Sequence, residues 1–228
     1  MRAAGHPSAV FAHRAGRDTM DDDPVRALHR RLDFYPTPPW AARAIGHFLR
    51  ELDPGARTAW EPACGEGHFA HGLGDAFDSV FASDVHAHGY GQVLDFLGLE
   101  ADGLGPFDWV ATNPPFETAA AFARLGWRRA RRGVALLCRS GFEESIGRYA
   151  LFHGPAPITM KVVFTERVAM HLGAYKPGKA SAALYSLFIW CKPPLAAQFP
   201  AAPLWRAFPP GTRARFERVD DARWARVA

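Results

Sequence analysis

Short apolar runs alternate with amphipathic stretches along most of the chain. The apolar runs are of strand length and rich in β-branched and aromatic residues, which favour extended structure. They predict strands at 58–63, 79–84, 107–112 and 133–139, with a weaker extended element at 92–97. Stretches of helical period predict helices at 37–52 and 117–131, and a further helix after the glycine-rich turn that begins at residue 64. This alternation predicts an α/β fold with a mostly parallel sheet between two helical layers.

Two late runs, ITMKVVF at 158–164 and ALYSLFIWC at 183–191, predict a pair of edge strands, with the last strand antiparallel. They bring the expected number of strands to about seven. The stretch 193–228 is rich in Pro, Ala and Arg and predicts an irregular tail. Residues 1–25 are expected to form a flexible tail, and Met20 within it is an alternative start of the natural chain. The predicted domain therefore covers residues 26–192.

Composition favours a soluble protein. Hydrophobic residues make up 48% of the chain and charged residues 22%, and no apolar run is long enough to span a membrane. Cys64, Cys138 and Cys191 are odd in number and widely spaced, which predicts neither a disulfide framework nor a metal site. A cytoplasmic location without membrane attachment is the expectation.

Charge is distributed unevenly along the chain. Residues 20–120 contain 6 Lys or Arg against 16 Asp or Glu, whereas residues 121–183 contain 11 against 3. A basic half attracts polyanions, so this distribution favours nucleic acid as the partner. Ordinary solubilising charge is the alternative explanation.

Three predicted strands end in residues suited to ligand binding. In an open α/β sheet, ligands bind beyond the carboxyl ends of the strands. The first strand leads into the loop EPACGEGHF, in which Gly65 and Gly67 allow close approach of the backbone. The second ends at Asp84. The strand at 107–112, fourth in chain order, leads into Asn113-Pro114-Pro115-Phe116. This segment is a stiff elbow, because each proline has a fixed φ and lacks an N–H.

Taken together, these motifs resemble those of the S-adenosylmethionine-dependent DNA N6-adenine methyltransferases. The resemblance covers about residues 33–191, has a gamma-like motif order and extends to small phage- or prophage-borne enzymes. It rests on the following segments, in chain order: Tyr35-Pro36-Thr37-Pro38, Glu61 to Phe69, Asp84, Asp95-Phe96, Asn113 to Phe116, FTERV and ASAALYSLFIW. It implies a Rossmann-like, seven-stranded class I methyltransferase sheet, mostly parallel with an antiparallel last strand.

The resemblance also implies roles for individual residues. The Asn113 side-chain oxygen and the Pro114 carbonyl accept hydrogen bonds from the adenine amine, Pro115 stiffens the elbow, and Phe116 stacks on the base. The expected cofactor, S-adenosyl-L-methionine, is held along its length by residues of several segments. Those residues are Asp84 at the ribose, Asp95 at the adenine, Glu61, Ala63, Gly65 and Gly67 near the methionine part, and Tyr35, Pro36 and Thr37 over its carboxylate.

Several alternatives stay open at the level of sequence. DNA is the expected substrate, but cytosine N4 and RNA adenine present similar amines, and protein glutamine methyltransferases use a similar elbow. A cofactor-binding protein without catalysis is a further alternative. No separate target-recognition domain is expected, and the target sequence and oligomeric state are not predicted.

Weaker features have two explanations each. The arginines of segment 124–132 either contact phosphates or compensate a helix dipole. The loop 165–181 is either a nucleic-acid-facing loop or an ordinary basic loop. We expect His86 and His88 to face solvent, and Cys64 to be a packed small side chain.

Overall fold

A computed structural model describes residues 23–225. Met20 and most of the predicted amino-terminal tail lie outside the described residues. The described part contains eight strands in one sheet, and helices on both of its faces. The strands are β1 (Thr58–Glu61), β2 (Ser79–Asp84), β3 (Gln92–Val93), β4 (Phe107–Thr112), β5 (Ala130–Arg139), β6 (Met160–Phe164), β7 (Tyr185–Cys191) and β8 (Leu204–Phe208). The helices are α1 (Pro24–Arg31), α2 (Pro39–Leu52), α3 (His68–Gly74), α4 (Ala119–Arg129), α5 (Tyr149–His153) and α6 (Thr212–Phe216).

The sheet has the strand order β3-β2-β1-β4-β5-β7-β6-β8. The pairs from β3 to β5 are parallel, β7 is antiparallel to both β5 and β6, and β8 is parallel to β6. The carboxyl ends of β1, β2, β4, β5 and β6 therefore lie along the same side of the sheet, which we call the carboxyl edge. The loops that carry the predicted chemistry all leave the sheet at this edge.

Alternate residues of the central strands enter two separate cores. Trp109 and Ala111 of β4 pack toward α2 and α3, whereas Val110 packs toward α4. Burial on both faces explains why the central strands are continuous apolar runs in the sequence. The helices and the core are therefore arranged as the hydrophobic pattern predicts.

The predicted edge strands lie inside the sheet. All seven residues of β7 are buried, because it pairs with β5 on one side and β6 on the other. Strand β8 then covers the free side of β6. The sheet has eight strands rather than seven, and β3 and β8 form its edges.

The stretch after residue 192 was predicted as an irregular tail, and this is wrong for β8 and α6. Strand β8 has the sequence LWRAF, in which three successive residues are exposed, so it lacks the alternation that identifies a strand. At the other end of the chain, α1 begins at Pro24, ahead of the predicted boundary at residue 26. None of the described helices is both long enough and apolar enough to cross a membrane.

Candidate active site

A cavity of about 830 Å³ opens at the carboxyl edge. Its volume lies within the range of about 300–1,000 Å³ found for ligand pockets. Most of the predicted site residues line it, and Glu61, Gly67 and Pro114 are the predicted residues that are not part of its wall. The lining includes Tyr35, Pro36, Thr37, Ala63, Gly65, Asp84, Asp95, Asn113, Pro115 and Phe116.

The Asn113 amide is held in one orientation. Its Nδ2 donates a hydrogen bond to the Tyr35 carbonyl at 2.8 Å and lies 3.5 Å from the Met170 sulfur. A carbonyl oxygen only accepts, so the amide nitrogen must face Tyr35. The other atom of the amide, Oδ1, is buried and has no hydrogen-bond partner among the described residues. Asn113 therefore retains a buried acceptor that no residue in the described part of the chain uses.

The rest of the elbow is fixed by the segment before α2. The Phe116 backbone N–H donates to the Asp33 carboxylate at 2.6 Å, and Asp33 has a left-handed φ of 51°. Burial raises the pKa of Asp33 above its ordinary value, and the hydrogen bond from Phe116 partly offsets this. The Phe116 ring lies 5.6 Å from the Tyr35 ring, with the Arg139 guanidinium 4.8 Å from its centre. An aromatic and cationic surface thus adjoins the Asn113 amide.

Both predicted glycines of the first loop have positive φ, 50° at Gly65 and 91° at Gly67. A Cβ on Gly65 would lie 2.5 Å from the Phe34 ring, and one on Gly67 would lie 2.7 Å from the Tyr90 ring. Close aromatic packing therefore requires glycine at both positions, whatever else the loop binds. Cys64 is buried beside them, and burial raises the pKa of its thiol, as suits a packed side chain.

Glu61 is completely buried at the end of β1. Its Oε1 accepts from the Ala63 N–H at 3.0 Å and from the Thr112 hydroxyl, whereas Oε2 has no partner among the described residues. Burial raises the pKa of Glu61 to about 8, because the charged form loses solvation. Glu61 lies behind the cavity wall at Ala63 rather than in it.

Asp84 joins the ends of two strands. Its carboxylate accepts from the Gly65 N–H and from the His86 N–H, both at 2.9 Å. The expectation that His88 faces solvent is wrong, because its side chain is only 8% exposed. The His88 ring stacks on Phe34 at 4.7 Å and lies 3.7 Å from Asp84. Aromatic packing from a distant segment covers it, which the local sequence does not reveal.

Asp95 lies in the cavity wall, whereas two nearby acidic residues have structural roles. Asp102 forms an ion pair with Arg129. Asp108 accepts from the backbone N–H groups of Arg57 and Thr58, and these bonds help to lower its pKa although burial opposes them. Neither belongs to the cavity wall.

The arginine cluster in segment 124–132 is largely structural. Arg129 pairs with Asp102, Arg131 with Asp108, and Arg132 with Asp53. Arg131 and Arg132 lie at the amino end of β5, on the side of the sheet opposite the carboxyl edge. Part of the basic character of residues 121–183 therefore neutralises the acidic half of the same chain.

Sequence reasoning missed several residues of the site, and five of them bear directly on its geometry. Phe34, His68 and Arg139 line the cavity, Asp33 holds the Phe116 N–H, and Met170 contacts both Thr37 and Asn113. Phe34 and Asp33 could have been suspected from the sequence, because they come immediately before the predicted site residue Tyr35. Met170 had no such signal, because it reaches Asn113 and Thr37 from the distant loop between β6 and β7.

No protein-family model matches the chain, and no curated protein matches it in sequence. Solved structures do share its fold. A protein from Listeria monocytogenes provisionally assigned as a class I S-adenosylmethionine-dependent methyltransferase superposes with a TM-score of 0.58 at 14% identity, covering 78% of this chain and 68% of the other. A provisionally assigned RNA methyltransferase from Pyrococcus horikoshii gives 0.54 at 15% identity, covering 75% and 90%.

The methyltransferase subunit of a type I restriction-modification system from Streptococcus thermophilus gives a TM-score of 0.51 at 16% identity. That match covers 69% of this chain but only 44% of the subunit. Structural similarity at such low sequence identity establishes the fold only, and activity must be argued from the site. The predicted fold class is thus confirmed: the chain has the Rossmann-like α/β fold of the class I S-adenosylmethionine-dependent methyltransferases.

Proposed function

We propose that the protein is an S-adenosylmethionine-dependent methyltransferase that acts on the N6 amine of adenine in DNA. The observation that carries this proposal is the Asn113 amide. Its nitrogen donates to the Tyr35 carbonyl, and its buried oxygen has no partner among the residues that the structure describes. An exocyclic amine has the donor that this oxygen lacks. Burying an unpaired polar atom costs about 1–3 kcal/mol, so a ligand that pairs with it gains binding energy.

The opposite end of the cavity suits the cofactor. Asp84 and Asp95 are carboxylates fit to accept from ribose hydroxyls and from the adenine amine, and both lie in the cavity wall. Glu61, whose Oε2 is unpaired, would interact with the cationic methionine part through the wall at Ala63 and Gly65. Bound there, S-adenosylmethionine supplies an electrophilic methyl group.

The elbow would prepare the amine for transfer. The lone pair of an adenine amine is delocalised into the ring, which makes the nitrogen a poor nucleophile. Hydrogen bonds from its two N–H groups to Asn113 Oδ1 and the Pro114 carbonyl favour a more tetrahedral nitrogen with a localised lone pair. Because Tyr35 and Asp33 already hold Asn113 and Phe116 in place, less reorganisation of the elbow is needed when the base binds. The product amine must lose one proton, which can leave to water.

A base taken out of a duplex would stack on Phe116. The Arg139 guanidinium beside that ring and Arg31 in the cavity wall supply positive charge for the phosphates. This aromatic and cationic environment favours a nucleic acid over a glutamine side chain. DNA is the proposed substrate and RNA adenine is the alternative, since a restriction-modification methyltransferase subunit and a provisionally assigned RNA methyltransferase both share the fold.

The test is a pair of amide variants. Asn113→Ala should lower methyl transfer to unmethylated DNA by about 10²–10³-fold, the range seen when a single transition-state hydrogen bond is removed. Binding of the donor should change by less than about threefold. Gln198→Ala, which removes an exposed amide elsewhere, is the control and should retain full activity.

The product must also be identified. Labelled donor is incubated separately with DNA, RNA and whole-cell protein, and each polymer is digested to its units. Label in N6-methyldeoxyadenosine is the expected result. Label confined to glutamine, cytosine or ribonucleosides, or an unchanged rate in Asn113→Ala, would contradict the proposal.

A further inference from the structure

A second, smaller cavity of about 230 Å³ adjoins the candidate active site. Tyr185 lines the second cavity, and its ring lies 6.0 Å from Phe116 in the first. Ser140, also in the second cavity, directly follows Arg139 in the wall of the first. The two cavities therefore meet at the end of the active site where the target base is proposed to stack, away from the cofactor end.

Trp205 gives the second cavity an exposed aromatic surface. It lies on β8 and is 68% exposed, and it is the exposed member of the seven tryptophans, all of which are described. The Lys161 ammonium lies 5.0 Å from the Trp205 ring centre. It is fixed there by the Ser140 carbonyl at 2.7 Å and by Glu143. An exposed indole beside a fixed cation is a typical surface for stacking a nucleobase.

The loop between β6 and β7 links the two cavities. Arg167 and Val168 line the second cavity, whereas Met170 contacts Asn113 in the first. The Arg167 guanidinium donates to the Ser181 and Ala182 carbonyls at 3.1 and 3.4 Å, which ties the two ends of this loop together. The basic loop singled out in the sequence thus lines the second cavity and, through Met170, contacts Asn113 in the wall of the first.

We propose that the second cavity binds the nucleobase adjacent to the target adenine, with Trp205 as its stacking surface. This inference rests on the proposed function and deepens it, because it assigns an extended, unstacked strand as the substrate. The cavity volume is below the usual range for whole ligands of about 300–1,000 Å³, which suits a base better than a complete cofactor. The lining contains Lys161 and Arg167 and no carboxylate, although Glu143 pairs with Lys161 outside it.

The test compares oligonucleotides that contain a single target adenine and either both neighbouring bases or an abasic site on one side. In the wild type, removing the base that occupies the second cavity should raise KM roughly tenfold, as expected for loss of one base–aromatic stack. Trp205→Ala should raise KM for the intact oligonucleotide by a similar factor and abolish its sensitivity to the abasic site. Trp205→Phe, which keeps a stacking ring, should retain most of the wild-type KM.

Tyr149→Ala is the matched control, because Tyr149 is 66% exposed and is not part of either cavity wall. It should leave KM unchanged. If adenine is methylated but neither abasic position matters, or if Trp205→Ala keeps the wild-type sensitivity to them, the flanking-base site is wrong while the proposed function stands.

A binding measurement without the donor separates the two proposals further. Oligonucleotide should quench the exposed tryptophan fluorescence of the wild type, and this quenching should be lost in Trp205→Phe. Quenching that persists unchanged in Trp205→Phe, or its absence in the wild type, would overturn the second site whether or not methyl transfer is seen. Loss of quenching in Trp205→Phe together with label only in glutamine would overturn the proposed function instead.

Discussion

Asn113 and Glu61 each retain a buried side-chain oxygen that has no partner within residues 23–225. Asn113 lies in the wall of the main cavity, and Glu61 lies directly behind it. Leaving a buried polar atom unpaired is unfavourable by about 1–3 kcal/mol. Two such atoms close to one cavity are consistent with ligand groups that complete their hydrogen bonding. Their residue types were evident in the sequence, but their unpaired atoms were not.

The raised pKa of Glu61 predicts a specific pH dependence of stability. Its pKa is about 8 in the folded protein and close to 4.5 when exposed, so the folded state favours the protonated form. The stability that the folded protein gains from protonated Glu61 is fully present below about pH 4.5 and is lost as the pH rises to about 8. Glu61→Gln cannot ionise but keeps an oxygen to accept from Ala63 and Thr112. The melting temperature of the Glu61→Gln variant should therefore fall less than that of the wild type between pH 5 and 8.

The measurement is thermal unfolding of both proteins across that pH range. As a control, Glu51→Gln replaces an exposed carboxylate on α2 and should follow the wild-type curve. Parallel curves for wild type and Glu61→Gln would show that the Glu61 carboxyl titrates normally. Under the proposed function, Glu61→Gln should also weaken donor binding above about pH 8, where the wild-type Glu61 carboxyl is ionised and the variant lacks its negative charge near the methionine part.

At the scale of elements, the candidate active site depends on how segment 33–37 lies across the elbow. The sequence suggested that Thr37 and Pro38 start a helix, and α2 does begin at Pro39. The Thr37 hydroxyl, however, faces the Met170 sulfur at 3.8 Å and does not cap the helix. The carbonyl of Tyr35 and the carboxylate of Asp33 instead hold Asn113 and Phe116. Segment 33–37 therefore forms part of the cavity wall and also leads into α2.

Close packing of α2 on α3 gives a prediction for two neighbouring glycines. A Cβ on Gly72 would lie 2.4 Å from the Ala42 Cβ, whereas one on Gly74 would meet nothing within 4 Å. Gly72→Ala should destabilise the protein by about 1–3 kcal/mol through overpacking. Gly74→Ala, in the same helix, should stabilise it by about 0.4–1 kcal/mol because alanine restricts the unfolded chain. Urea unfolding of the two variants measures both effects, and equal effects would contradict this account of the helix contact.

At the scale of the whole molecule, the two oppositely charged parts of the chain pair with each other. Asp53 and Asp108 from the acidic part bind Arg132 and Arg131 from the basic part. These pairs lie at the amino end of β5, so they cannot guide a polyanion to the carboxyl edge. Under the proposed function, the cations that would meet a nucleic acid are instead those near the cavities, such as Arg139 and Arg167.

The carboxyl-terminal stretch is held to the domain by a buried ion pair between Arg43 of α2 and Asp221, whose side chains are 7% and 5% exposed. Breaking such a pair leaves an uncompensated buried charge, which costs about 3–5 kcal/mol. Asp221→Ala should therefore lower the melting temperature by roughly 6–20 °C. Asp220→Ala removes a carboxylate from an exposed pair with Arg223 and should have little effect. Equal melting temperatures for the two variants would mean that the Arg43 pair contributes little to stability.

The sequence by itself determined the layered α/β architecture, most strand positions and the three loops at the carboxyl edge. These depend on local signals: apolar periodicity, glycine where a turn needs positive φ, and proline where the backbone must be stiff. Tertiary structure decided the rest. It placed β7 inside the sheet, added β8 and oriented the Asn113 amide through the Tyr35 carbonyl. It also brought Met170 to Asn113 and Trp205 to the second cavity. Each of these outcomes depends on contacts between residues far apart in the chain, and such contacts leave no periodic trace in the sequence around either partner.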